Sequence, residues 1–180
     1  MTGAARDVVA FWVDAGPDRW FAKDPGFDER IRARFGEAVA AARRGELDAW
    51  ADTAEGALAL LLLLDQFPRN LFRGSPDAYA SDAKARDVAD RAVARGFDKL
   101  YPVPLRRFFY TPFMHSEHLA DQERSVALAE ASGDPDGLCW AEHHRDIVRR
   151  FGRFPHRNAV LGRAATDEER RFIDEDGFGG

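Results

Sequence analysis

The eight residues Ala57–Leu64 carry no polar side chain. This run constrains the fold more than any other feature. It is too short by about a dozen residues to cross a bilayer. As a helix it is apolar all round, so other elements must cover it on every side. It therefore belongs at the centre of a soluble core, preceded by a cap at Asp52 or Thr53 and running to about Gln66. The chain holds 30 alanines against 17 valines, isoleucines and threonines together. That bias toward good helix formers and away from β-branched residues predicts an all-α fold. At 180 residues one helical domain spanning 1–180 is the natural expectation.

Other helices are marked by their periodicity and punctuation. Arg6–Ala15 stops at Gly16-Pro17, and Phe27–Arg44 stops at Gly45. A helix from Ser81 or Asp82 to Arg95 places Ala85, Val88, Ala89 and Ala92 on one face, with the pair Asp82–Arg86 on the opposite face. A short aromatic helix near Leu105–Tyr110, two longer ones near Ser116–Ala131 and Asp136–Phe151, and a last one opened by the capping box Thr166-Asp-Glu-Glu169 complete the set. The tail 176–180 is expected to fray. Phe67-Pro68-Arg69-Asn70 and Phe154-Pro155-His156-Arg157-Asn158 echo each other, with a glycine closing each segment. Both are expected to read as helix, break, single turn and stop.

Polar residues interrupt the apolar pattern at a few places. Asp65 ends the all-apolar run. In the helix after Pro112 the inward stripe reads His115, His118 with Leu119, and Gln122 before it turns apolar at Val126 and Ala129. In the next helix His144 sits among Trp140, Ala141, Ile147, Val148 and Phe151. Buried polar groups need partners, and such local conflicts gather at functional sites. Cys139 is expected to be inert core, and as the lone cysteine it excludes an internal disulfide framework and a zinc ribbon.

Charge narrows the function. With 26 basic and 31 acidic residues the net charge is −5, which argues against nucleic-acid and acidic-membrane partners. The stretch from Arg145 to Arg163 nonetheless holds six arginines against one acid, Asp146. Arg69 and Arg73 join it if the two Phe-Pro segments converge. Planar guanidinium groups there suit a phosphate or carboxylate. No P-loop, dinucleotide fingerprint or G-x-S-x-G is present. No metal-ligand spacing is present, so neither a metal nor a cofactor is expected. The N-terminal stretch lacks an apolar run ending at a cleavage site, and a cytoplasmic protein is expected.

Three segments are recognisable together: Leu61–Gly74, His115–Ser125 and His144–Asn158. They resemble the mostly bacterial family catalogued as domain of unknown function 924, over about Asp7 to Phe172. The resemblance implies a tetratricopeptide-like fold of stacked antiparallel helix hairpins in a right-handed superhelix. It implies no reaction. The chain itself lacks the Trp, Leu-Gly and Tyr marks of a repeat of about 34 residues.

The segments that resemble the family are also those that break the core pattern. They define one candidate polar pocket. Its walls are Asp65, Gln66, Arg69 and Asn70, then His115, Glu117, His118, Asp121, Gln122 and Arg124, then His144, Arg145, Asp146, Arg153, His156, Arg157 and Asn158. Two functions fit this set. One is a binding module for a small anionic molecule or an acidic peptide segment. The other is a metal-independent hydrolase or transferase using a histidine–carboxylate pair with arginine as charge stabiliser. An enzyme requires a histidine within hydrogen-bond reach of a carboxylate beside an open cleft. A purely structural network leaves no void.

Overall fold

The computed structural model describes residues 2–176, and the expected frayed tail lies almost wholly outside them. The described residues are helical with no strand. In chain order the helices are α1 (Thr2–Ala15), α2 (Pro17–Trp20), α3 (Pro25–Arg44), α4 (Ala54–Leu61), α5 (Phe67–Leu71), α6 (Asp82–Ala94), α7 (Val103–Arg106), α8 (Thr111–Met114), α9 (Leu119–Ser132), α10 (Pro135–Phe151) and α11 (Asp167–Asp176), with short 3₁₀ turns between several of them.

Local chemistry explains most of these boundaries. Asp24 caps α3 by accepting from the backbone N–H groups of Gly26 and Phe27, and Gly45 ends that helix in the left-handed region at φ 85°. Thr53 caps α4 by accepting from Gly56 N–H at 3.1 Å. Gly56 is required for a second reason: a Cβ there would lie 2.1 Å from the Trp50 carbonyl oxygen.

Helix α4 is the hub. Its residues from Gly56 to Leu61 are all buried, and it packs against α1 and α6. An aromatic cluster extends this core. Trp12 lies 5.6 Å from Phe67 and 5.5 Å from Phe108 between ring centroids. Trp20 Nε1–H donates to the Trp12 carbonyl at 2.7 Å, so its polar edge is satisfied in the interior. Helices α9 and α10 form a hairpin through Gly133-Asp134, and Asp134 both caps α10 and takes a bidentate pair of bonds from Arg107. A smaller cluster of Ile147, Val148 and Phe154, flanked by Phe151 and Phe172, joins α10 to α11.

The capping box at α11 forms as its sequence predicts. Thr166 N–H donates to Glu169 Oε2 at 2.7 Å, and Glu169 N–H donates to Thr166 Oγ1 at 3.1 Å. Glu169 also takes two bonds from Arg153. Thr166→Ala is expected to lower stability by about 1 kcal/mol, measured by urea unfolding. A change indistinguishable from zero would mean that α11 frays with no effect on the rest.

Three local expectations are corrected. Cys139 is exposed, and Trp140 is 55% exposed. Both sit on the outer face of α10, because the inward stripe is Ala141, His144, Ile147 and Val148. Helix α9 begins at Leu119, so His115 lies in the turn after α8 and His118 is the N-cap position. Its buried positions are Gln122, Ser125 and Ala129, whereas Val126 is only half-buried. Finally, Pro68 does not break the chain's path: α4 runs into α5 through a π-helical turn, Leu62–Gln66. No helix among the described residues is long and apolar enough to cross a membrane.

Candidate functional site

The π turn creates the site's floor. Phe67 N–H donates to the Leu62 carbonyl, one residue wider than an α-helical bond. Pro68 has no N–H to offer, so the Leu64 carbonyl is free, and Ser81 Oγ donates to it at 2.7 Å. The Asp65 carbonyl accepts from Arg69 Nη1 at 2.8 Å. The turn holds the Asp65 side chain fully buried.

Three groups converge on Asp65. His115 Nδ1 lies 2.7 Å from its Oδ1. Arg69 Nη1 lies 3.2 Å from the same oxygen. Gln66 Nε2–H donates to Oδ2. Burial alone would raise the Asp65 pKa. The charges of His115 and Arg69 and the bonds from His115 and Gln66 outweigh it, and hold the carboxyl well below the usual range. Burial and the neighbouring Arg69 charge push His115 the other way, toward the neutral imidazole, against the pull of Asp65. An ionised Asp65 accepts a proton-bearing Nδ1, so a neutral His115 keeps its lone pair on Nε2.

His115 is held in place by its flanks. Gln122 Nε2–H bonds to the carbonyls of both Met114 and Ser116 at 2.6 Å. Ser116 Oγ–H donates to Asp121 at 2.6 Å and accepts from His118 N–H. Glu117 reaches across to the third segment. It accepts from Phe154 N–H at 2.8 Å and forms a two-point pair with Arg163. That clamp sets the loop after α10 against the His115 turn.

The loop delivers Arg157. Its guanidinium is sandwiched between the rings of Tyr79 and Phe154, at 4.5 and 4.6 Å from their centroids. It is only 6% exposed. Its nearest acid is Asp82, at 3.6 Å. It makes no side-chain hydrogen bond to any described residue, and its Nε is buried without a partner. Burial and the Arg69 charge lower its pKa to about 10. Asp82 also takes two 3.0 Å bonds from Arg69, so one carboxylate answers two guanidinium groups.

These groups border an open cleft of about 380 Å³, lined among others by Tyr79, Asp82, Arg86, His115, Glu117 and Arg157. That volume suits a small molecule. Among the described residues no group of three or more His, Cys, Asp or Glu is arranged to hold a metal ion.

The structure divides the seventeen residues of the sequence reading. Asp65, Gln66, Arg69, His115, Glu117, His118 and Arg157 meet at or directly beneath the cleft. Asp121 and Gln122 buttress the turn that carries His115. His144 backs it, with its ring 6.3 Å from His115 and its Nδ1 on the Trp140 carbonyl, and His156 packs on Phe154. The others turn elsewhere. Asn70 binds Asp28, Arg124 pairs with Asp90, Arg145 pairs with the exposed Asp146, Arg153 holds Glu169, and Asn158 accepts from Arg163. The expected convergence of many arginines is therefore reduced to two, Arg69 and Arg157. Arg73, Arg149 and Arg150 are matched to Asp28, Glu123 and Glu168.

Two site residues escape the sequence reading. Asp82 reads as the solvent-side partner of Arg86, yet it is buried against Arg69 and Arg157, and Arg86 pairs with Asp121 instead. Tyr79 lies in a turn with no periodicity to mark it. The adjacent Ser81-Asp82 at the start of a helix is the one available signal; in the structure Ser81 bonds the Leu64 carbonyl and Asp82 bonds Arg69.

Residues 8–177 match a protein family described as bacterial protein of unknown function (DUF924). A solved structure of a protein of unknown function from Agrobacterium tumefaciens is similar over 97% of this chain and 98% of its own, at 52% identity and a TM-score of 0.94. No curated protein matches.

Proposed function

The chain belongs to the DUF924 family of bacterial proteins of unknown function, and because that membership prescribes no reaction, we propose from the cleft alone that the protein binds a small anionic molecule, a phosphate or a carboxylate, on Arg157. The observation that carries this reading is a guanidinium 6% exposed, bordering a cleft, with none of its N–H groups hydrogen-bonded to a described residue. A buried charge without hydrogen bonds is costly. An anion in the cleft would accept two of those bonds in the fork geometry that arginine offers. Asp82 is shared with Arg69 and does not supply them.

The test is a thermal-shift series with inorganic phosphate and with dicarboxylates at matched ionic strength. At a concentration about 100 times Kd the expected stabilisation is about 2.7 kcal/mol. Arg157→Ala should abolish it, while Arg149→Ala, on an exposed side chain, should leave it intact. Equal responses in all three proteins, or none in any, would remove anion binding and leave the arginines as a structural network.

A further inference from the structure

We infer that the cleft is catalytic: a metal-independent hydrolase site for small anionic carboxylic esters, with His115 as the acid–base residue and Asp65 as its positioning residue. The inference rests on the anion-binding reading of Arg157 and adds a reaction to it.

The first ground is geometry. Asp65 Oδ1 and His115 Nδ1 are 2.7 Å apart, and Asp65 is fully buried behind a ring that borders the cleft. Asp65 sits in a π turn, a rare backbone form that is frequent at functional sites. The second ground is protonation. Arg69, 3.2 Å from the same carboxylate oxygen, keeps Asp65 ionised and favours neutral His115. The imidazole therefore carries its proton on Nδ1 and its lone pair on Nε2 at neutral pH, the state a general base needs. The third ground is, among the described residues, the state of the serine next to His115 and of the cysteine. The Ser116 hydroxyl is engaged by Asp121 and His118 N–H, and Cys139 is on the outer face of α10. Water is left as the attacking group.

The reaction balances without a metal or redox partner. Nε2 takes a proton from water as its oxygen forms a bond to the ester carbonyl carbon. The carbonyl π pair moves onto oxygen to give the tetrahedral intermediate, while Arg157 holds the substrate's own anionic group. Collapse reforms the carbonyl and breaks the bond to the leaving alkoxide, which receives the proton from Nε2. Ester and water become acid and alcohol. One imidazole can serve both transfers because the water and leaving oxygen share one tetrahedral carbon. An in-line phosphoryl displacement would need base and acid on opposite faces, which favours acyl over phosphoryl chemistry here.

The full chain is assayed with 4-acetoxy-3-nitrobenzoate, an anionic ester with a coloured product, beside neutral 4-nitrophenyl acetate. The expected result is turnover of the anionic ester that falls about 100-fold or more in His115→Gln. Preference over the neutral ester should be lost in Arg157→Ala mainly through KM. In ¹⁵N spectra Asp65→Asn should move the His115 proton from Nδ1 to Nε2, and it should lower kcat with little change in KM while thermal unfolding stays cooperative, which a purely structural role would not do. If Asp65→Asn fails to fold, His115→Gln and the wild-type tautomer still decide. No turnover dependent on His115, or a wild-type ring protonated on Nε2, overturns the inference. When that occurs with Arg157-dependent phosphate stabilisation intact, catalysis alone falls. When the stabilisation is also absent, the anion reading falls with it.

Discussion

Asp82→Ala is expected to destabilise the protein by about 3–5 kcal/mol, because it strands a buried cation. Asp82 supplies both carboxylate oxygens to Arg69 at 3.0 Å and is the acid facing Arg157 at 3.6 Å. Arg69 would keep Asp65 as a partner. Arg157 would keep the faces of Tyr79 and Phe154 and the weaker influence of Glu117, and these do not replace the Asp82 carboxylate. Asp82→Asn keeps the shape and removes the charge, so most of the loss should persist. Asp87→Ala, on the exposed face of the same helix, should stay within about 0.5 kcal/mol of the parent. Urea unfolding at pH 7 measures all three. If Asp82→Ala matched Asp87→Ala, the two guanidinium groups would have to be solvated, and the site as described would not hold.

Stability is also expected to fall in mild acid, starting near pH 6.5 instead of near pH 4. Burial first, and then nearby cationic or histidine neighbours, lower His144 and His156 to about 3. Their unfolded value is about 6.5. Between those limits the unfolded chain binds more protons than the folded one, so stability is complete above about pH 6.5 and is lost as the pH falls toward 3. Asp65, lowered in the fold, adds a loss in the same direction below about pH 4. At pH 5 the two histidines together should remove about 2–4 kcal/mol relative to pH 7. Unfolding free energies at pH 7 and 5 check this. His144→Phe, which removes one titrating ring from a site beside Phe154, should shrink the difference. A curve flat down to pH 4.5 would show that these histidines protonate without leaving the fold.

Much of the fold was legible because helix boundaries depend on residues three or four apart. Thr53, Gly45 and the Thr166–Glu169 box each act within one turn, and each does what its type predicts. The interior positions of Asp65 and His144 were legible for the same reason, since a period of 3.6 residues reports a face. The same rule misled where an element began later than expected. Starting α9 at Leu119 moves His115 and His118 out of the helix, and Ser125 replaces Val126 on its inner side. Periodicity also could not foresee that a π turn would carry the chain past Pro68.

That this chain is helical, that Ala57–Leu64 lies at its centre, and that polar residues intrude on that interior near positions 65, 115 and 144 can all be read from the order of its residues. These are consequences of propensity, composition and local spacing. Which charges meet is settled by packing between segments far apart in the chain. His115 and Asp65 are 50 positions apart and Arg157 and Asp82 are 75 apart, and any of the 23 arginines could have faced any acid as far as charge alone is concerned. The choice was made by how α6 and the loop after α10 dock on the π turn, because packing of apolar faces sets the helix positions and the long polar side chains then pair with whatever acid lies within reach. That docking put Asp82 under two guanidinium groups and left the Arg157 side chain bordering the cleft without a hydrogen bond to a described residue.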